Sequence, residues 1–435
     1  MTFWFRALVV GTALGIPLYA WAARGRVYGI FAAVILAIAL PGAVAMHERY
    51  LALALSYGPA WLVPLLDAAF FWGLVAAALH LGSLVTARLR PPLFRWGASI
   101  PGMVFVAAGA LAGVWLLALV PLRLVLDALD VHVATAALRW LDVVPFAVAV
   151  ASVATSVRPA QEIVRVVPHA ARPETVTRLP VERYRVRARR ADRRVPPALE
   201  RRPLRIVQIT DPHLGPWQPV AKLRRVIADL LRHDPDLVLL TGDFLTMEGS
   251  GSRGALAEAL TPLRSMPGRA FAVFGNHDHD RGAPAEVDAA LTANGVRILM
   301  DEEAVVTTPA GAVQIVGADY VGKGRREHIQ GVLAAHPRRA EHVRLLLLHD
   351  PSVFRHIPPG DVDLTLSGHT HGGQLGLVSF GLDWTVLSRT AWPDHGLFGH
   401  GSNRLYVHRG TGFYGFPLRI GVPGEASLLE VVLAT

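Results

Sequence analysis

Two histidines one residue apart, His369 and His371, sit in the stretch Ser367-Gly368-His369-Thr370-His371-Gly372-Gly373-Gln374. Neutral imidazole is the commonest side-chain metal ligand. The apolar run before this stretch, Asp363-Leu364-Thr365-Leu366, reads as a buried strand, and the glycines permit a tight loop directly after it. Alone, a His-x-His pair says little. Four further strand-like runs end in the same chemistry. Leu204–Ile209 leads to Asp211-Pro212-His213, and Leu237–Leu240 leads to Thr241-Gly242-Asp243. Ala270–Phe274 leads to Gly275-Asn276-His277-Asp278, and Val343–Leu348 leads to His349-Asp350. The potential donors are therefore Asp211, His213, Asp243, Asn276, His349, His369 and His371. This set mixes carboxylate oxygen with imidazole and lacks sulfur, which suits Mn²⁺, Fe or Zn²⁺ over Cu(I) or an iron–sulfur cluster. It is too large for one ion and about right for two ions that share a carboxylate.

The elements that must position these residues alternate strand, loop and helix from Leu204 onward, with Val220–Leu231 carrying a helical period. In open α/β sheets ligands bind outside the carboxyl ends of the strands. Side chains scattered along the sequence are thereby predicted to gather at one edge. No cysteine occurs in the 435 residues, which excludes disulfides and thiolate metal sites.

Upstream the chain changes character. Its hydrophobic fraction of 52% and mean hydropathy of +0.36 are high for a soluble protein, and the excess falls before about residue 157. Apolar runs near Leu8–Ala23, Val27–Met46, Leu62–Val85, Met103–Val120 and Val143–Val157 approach the roughly 20 residues that span a bilayer. Ala20-Trp21-Ala22 resembles a signal-peptide cleavage site, but Arg6 is the only charge before the first run and the next run starts at once. With five spans, Arg24, Arg26, Arg88, Arg90 and Arg95 share a side with everything after the fifth, and Arg6, Arg49, Arg123 and Arg139 lie opposite. The positive-inside rule then places the C-terminal region in the cytoplasm of a multi-pass cell-membrane protein. Asp67 and His80 fall inside the third run; Asp67 is expected near an interface, with His80 paired inside the bundle.

Residues 158–202 carry thirteen arginines and several prolines without a long apolar run. They read as a linker or juxtamembrane collar able to meet anionic headgroups, with Val181–Ala188 starting the first strand of the next domain. The expected organisation is residues 1–157 as a helical transmembrane region, 158–202 as linker, and 203–435 as the domain holding the donors. A fragment beginning near Val176 would keep every motif and is expected to be soluble and active on small esters. The formal charge of +9 rests almost wholly on arginine, since Lys222 and Lys323 are the only lysines, and is not taken as a nucleic-acid signal.

The ordered series Asp-x-His, Gly-Asp, Gly-Asn-His-Asp, His and Gly-His-Thr-His resembles the calcineurin-like metallophosphoesterases over roughly residues 180–435. The Gly-His-Thr-His-Gly-Gly-Gln ending, the late Arg409-Gly410-Thr411-Gly412 and the N-terminal spans look most like a membrane-associated bacterial branch. The resemblance implies an α/β four-layer αββα sandwich. It implies that Asp211, His213 and His371 hold one divalent ion, that Asn276, His349 and His369 hold a second, and that Asp243 bridges them. His277 would face the leaving group as proton donor. Many members carry a second acid three residues after the bridging Asp, where this chain has Thr246; Asp278 is the expected substitute for orienting His277. The function implied is hydrolysis of a phosphodiester, phosphomonoester or pyrophosphate bond by a metal-bridging hydroxide. The substrate would be a phosphorylated small molecule or a lipid-linked compound, and no nucleic-acid partner is expected. An alternative of another class is a membrane sensor whose phosphoesterase-like domain binds a phosphorylated ligand without turnover.

Overall fold

The computed structural model describes residues 2–167, 171–185, 202–280 and 283–432. The chain divides into two compact units, Met1–Ala154 with Gly415–Ile420, and Thr155–Tyr414 with Gly421–Thr435.

The first unit is helical. Helices α1 (Thr2–Arg24), α2 (Arg26–Tyr57), α3 (Leu62–Ser83) and α4 (Ile100–Ala128) are followed by the broken helical stretch Ala136–Val157. All five stretches are long and apolar enough to cross a membrane. Each expected run falls within one of them except at the end of the third, where Leu84 and Val85 lie past α3. Pro17, Pro41 and Pro121 are inside helices, as membrane spans allow. Without a hydrophobic drive between helices in lipid, close backbone contact at small residues supplies cohesion. A Cβ added at Gly42 of α2 would collide with the Gly109 carbonyl of α4, so these helices meet backbone to backbone. Asp67 pairs with a residue of the neighbouring helix. Its carboxylate lies 2.7 Å from Nε2 of buried His47, and the Phe5 ring covers that imidazole at 4.3 Å between centroids. A hydropathy reading sees one ionisable residue in a run and misses the partner on the neighbouring helix.

The second unit is built of strands. β1 (Ala160–Val166), β2 (Thr177–Leu179) and β3 (Glu182–Arg185) precede β4 (Leu204–Ile209), β5 (Leu237–Leu240), β6 (Ala270–Ala272) and β7 (Arg297–Ile298). Then come β8 (Glu302–Thr308), β9 (Gly311–Ala318), β10 (Val343–Leu348), β11 (Leu364–Ser367), β12 (Gly396–His400), β13 (Asn403–Val407) and β14 (Glu425–Val431). They form two seven-stranded mixed sheets, ordered β3-β1-β14-β4-β5-β6-β7 and β2-β12-β13-β11-β10-β9-β8. Side chains alternate between faces along a strand. Leu204 and Ile206, Leu237 and Leu239 therefore point from the first sheet into one core shared with Leu345, Leu347, Leu364 and Leu366 of the second. Leu346, Leu348, Leu405 and Val407 point the other way, onto Ile329, Val332 and Leu333 of helix Arg325–Ala335. On the far side of the first sheet, helix Val220–Leu231 buries Leu223, Val226, Ile227 and Leu230. The order helix, sheet, sheet, helix is the four-layer αββα sandwich.

The stretch 158–202, read from sequence as a linker, contributes three of these strands. β1 runs parallel to β14 and antiparallel to β3, within the sheet and not beside it. It escaped an apolar-run reading because Glu162 and Arg165 are buried in it as ion-paired residues. Glu182–Arg185 falls inside the expected strand Val181–Ala188, whose residues 186–188 lie outside the described residues.

Candidate metal centre

The tips of β4, β5, β6, β10 and β11 deliver the donors. Asp211, His213 and His371 offer ligand atoms that all lie within 4.8 Å of one another, as do Asp243, His349 and His369. Asp243 lies between the sets: its Oδ2 is 3.2 Å from His349 Nε2 and 3.6 Å from His213 Nε2. His371 Nε2 is 3.6 Å from Asp211 Oδ1, and His369 Nδ1 is 3.2 Å from His349 Nε2. Asn276 is set beside Asp243 by its neighbours, because His277 N donates to Asp243 Oδ1 at 2.8 Å. A Cβ added at Gly275 would collide with that carboxylate, so only glycine fits there.

These side chains converge because their backbones are held in an unusual conformation. Asp211 (φ 48°), His213 (φ 43°), Asp243 (φ 59°), His369 (φ 70°) and His371 (φ 52°) are all left-handed. Such residues cost on the order of 1–3 kcal/mol each and persist where surrounding structure over-determines them. Asp211 N donates to Gly242 O at 2.9 Å, and its carbonyl accepts from Gly412 N at 3.0 Å. Thr370 Oγ1 donates to the Asp394 carbonyl at 2.6 Å, which fixes the loop between the two histidines.

The donor set fits divalent cations. Oδ1 of Asn276 and Nε2 of His213 are buried without a hydrogen-bond partner, which is costly for polar atoms unless something else meets them. His349 Nδ1 is 2.7 Å from the Thr241 carbonyl, so Nδ1 carries the proton and Nε2 is left to ligate. Burial pushes His213 down to about 3, and burial with the neighbouring His349 charge pushes His369 down to about 4. Both therefore stay neutral, the form that binds metal. Burial opposes charge on His349, yet the Asp243 carboxylate beside it raises it to about 10, so a cation binding at Nε2 would displace a proton there. Burial likewise opposes charge on Asp243, and the imidazoles outweigh it, holding this carboxyl well below the usual range.

His277 is part-exposed at the rim, its ring 5.5 Å from that of His213 and 5.1 Å from that of Tyr414. Its Nδ1 faces Asp280 Oδ2 at 3.0 Å. Asp278, the expected orienting acid, is elsewhere. It is fully buried, and its carboxylate accepts from the backbone N–H groups of Asp243 (2.6 Å), Phe244 (2.8 Å) and Gly275 (2.9 Å). Its role is to clamp the Asp243 loop, with burial and the Asp243 charge pushing it up to about 7. The reason is geometric: the turn His277–His279 is 3₁₀, so residues three apart eclipse and Asp280 shares a side with His277. Thr246 is also structural; its hydroxyl donates to the Leu214 carbonyl at 2.7 Å and accepts from Gly249 N at 3.2 Å.

Residue types alone did not mark Tyr414, stacked on His213 at 5.2 Å, Trp392, 5.8 Å from the His369 ring, or Tyr320, 6.4 Å from the His349 ring. The spacing His277-x-x-Asp280 was the one available signal for Asp280.

A two-sheet sandwich with Asp, Asn and His donors at five strand ends defines a metal-dependent phosphoester hydrolase. Residues 204–373 match the family model of the calcineurin-like phosphoesterases, and the chain belongs to that family. Among its relatives is phosphodiesterase YaeI of Escherichia coli (strain K12), 30% identical over 233 residues that make up 53% of this chain and 83% of that one. An uncharacterized metallophosphoesterase, YkuE of Bacillus subtilis (strain 168), is 29% identical over 228 residues, 52% of this chain and 78% of its own. A transmembrane protein with metallophosphoesterase domain from Danio rerio is 30% identical over 239 residues, 51% of this chain and 52% of its own.

Proposed function

We propose that this membrane-associated metallophosphoesterase is a dinuclear enzyme that hydrolyses a phosphodiester, phosphomonoester or pyrophosphate bond. The observation that carries the reading is Asp243, whose carboxylate lies within reach of imidazoles from both donor sets. Asp211, His213 and His371 would hold one ion, Asn276, His349 and His369 the other, and Asp243 would serve both. Two divalent cations bound there, Mn²⁺, Fe or Zn²⁺ by donor chemistry, neutralise the phosphoryl oxygens and acidify the attacking water.

The chain's own residues do the rest. Asp278 holds the Asp243 loop rigid through three backbone N–H groups. Asp280 engages Nδ1 of His277, which leaves Nε2 to give a proton to the departing oxygen. Tyr414 packs against the rings of both His213 and His277 and limits how His277 can turn on that side. The catalytic domain faces the cytoplasm, supported by the arginines that share a side with it, and the substrate is lipid-linked, supported by the attached spans.

The test uses the full chain in nanodiscs, reconstituted with Mn²⁺, Fe²⁺ or Zn²⁺ and given an aryl phosphodiester, an aryl phosphomonoester, pyrophosphate and phospholipid. Turnover of at least one, with two ions per chain, is expected. Two bound ions without turnover of any ester would support a ligand-binding sensor instead.

A further inference from the structure

Beyond the active site, the second unit exposes its large apolar side chains in one place. Among the described residues after Val157, all but Met300 and Val305 of the exposed large hydrophobics lie between positions 377 and 392. They are Leu377, Phe380, Leu382, Trp384, Val386 and Trp392, with Phe380 77% exposed and Trp384 46%. Exposed large apolar side chains concentrated in one short segment mark an interaction site.

The segment is a built platform. Leu377 N donates to the Trp384 carbonyl at 2.9 Å, and Gly381 (φ 83°) turns the tip. At its base the Asp394 carboxylate accepts from Thr385 Oγ1 at 2.6 Å and Ser388 Oγ at 3.2 Å, and also pairs with Arg178. The same Asp394 holds Thr370 of the His369–His371 loop through its carbonyl. Side chains that look outward at the tip are thus fixed to the ligand loop at the base.

We infer that this segment is a bilayer-docking surface, its aromatic tip seated among lipid headgroups and upper acyl chains of the membrane that the chain itself spans. Two features favour lipid as the occupant. Only two residues lie between Val157, the end of the fifth apolar stretch, and the start of β1 at Ala160, so at most about 10 Å of extended backbone links this domain to that stretch. The composition is that of an interfacial anchor: tryptophan and phenylalanine beside Ser379, Asp383, Ser388 and Arg389, which suits shallow seating at headgroup depth and not full burial. A consequence, which rests on the phosphoesterase reading above, is that the metal centre meets phosphoesters at the bilayer surface in preference to those in bulk water.

The absence of native cysteine makes the test direct. Single variants Phe380→Cys and Trp384→Cys of the full chain carry a nitroxide in nanodiscs of mixed zwitterionic and anionic phospholipid. Asp288→Cys, on an exposed helical position, is the aqueous control. Nitroxides at 380 and 384 are expected to collide more with oxygen than with a water-soluble nickel chelate, and the label at 288 the reverse. Labels at 380 and 384 that are as open to the nickel chelate as 288, or shielded from both reagents as under a protein partner, overturn the inference. Hydrolysis by the same samples of the aryl phosphodiester, aryl phosphomonoester, pyrophosphate and phospholipid panel separates the two readings. Lipid-seated labels on an inactive protein sink the phosphoesterase and leave the docking surface; active protein with water-exposed labels does the opposite.

Discussion

A fragment that begins at Val176 retains every donor and every catalytic residue, yet the structure predicts that it does not fold. The cut removes β1, which pairs with β14 on one side and β3 on the other. Val164 and Val166 are buried in the core between the sheets, and losing both forfeits about 3–6 kcal/mol at about 1.5–3 kcal/mol per fully buried aliphatic side chain. The cut also removes Glu162 from a buried ionic cluster. Glu162 accepts from Arg409 at 2.7 Å and from Arg183 at 3.0 Å, while Glu425 pairs with Arg409 at 3.2 Å and Arg183 at 3.6 Å. Two carboxylates balance two guanidiniums, and without Glu162 one positive charge is left over. Breaking a buried pair by removing one partner costs about 3–5 kcal/mol. The sum, about 6–11 kcal/mol, is comparable to the whole stability of a typical domain, about 5–15 kcal/mol.

Urea unfolding followed by circular dichroism decides the matter. A fragment from Thr155 is expected to give a cooperative transition and one from Val176 none. Glu162→Gln in the longer fragment keeps the strand and removes only the charge, so it isolates the ionic part. Burial opposes charge on Glu162, but Arg409 and Arg183 outweigh it and hold the carboxyl below its usual range. A depressed carboxyl contributes stability above its unfolded value of about 4.3, and that contribution is lost as pH falls toward the folded value. The variant should accordingly be less stable at neutral pH and lose less on acidification. A Val176 fragment that unfolds cooperatively at the same urea concentration as the Thr155 fragment would refute this account of β1.

Asp243→Asn is expected to abolish turnover and lower metal content, measured by plasma mass spectrometry; two retained ions with full activity would sink the shared-carboxylate assignment. Asn276→Ala should lower occupancy of one ion only, seen as a bound stoichiometry that falls toward one. His277→Ala should keep both ions while cutting kcat by roughly 10²-fold or more, less for leaving groups of low pKa; an equal loss across leaving groups would make it a phosphoryl-binding residue. Asp278→Ala should destabilise the domain by at least about 3 kcal/mol, since three backbone donors lose a carboxylate at roughly 1.5–3 kcal/mol each before relaxation, whereas Asp280→Asn should leave the urea midpoint unchanged and lower kcat.

The donors were legible because their chemistry is local: a buried strand must end, and polar residues at its end are visible beside it. Their convergence was legible only through the sheet rule. What the sequence concealed is the left-handed backbone at Asp211, His213, Asp243, His369 and His371, since Asp and His adopt positive φ more readily than most residues but do not require it. β1 was hidden for a different reason. A strand that buries Glu162 on one face and Arg165 on the other looks like a charged linker until its partners, Arg409 and Glu430, are known from more than two hundred residues away. The pairing of Asp67 with His47 failed to show in the same way, because hydropathy scores one helix at a time.

The orienting acid shows how a motif can be kept while its support is rearranged. Thr246 stands where many family members carry a carboxylate, and its hydroxyl donates to the Leu214 carbonyl. A carboxylate there would set anionic oxygen against that carbonyl and remove one of the hydrogen bonds between the Asp211-His213 and Asp243 loops. Asp278 cannot supply the function either, since its oxygens already serve Asp243, Phe244 and Gly275. Asp280 can, but its side chain is 68% exposed, so water screens its hold on His277. A loosely held proton donor contributes least where the leaving group needs little help. That would place the weight of this site on the buried donors around Asp243, and make the expected preference for low-pKa leaving groups a property of the rim and not of the proposed metal ligands.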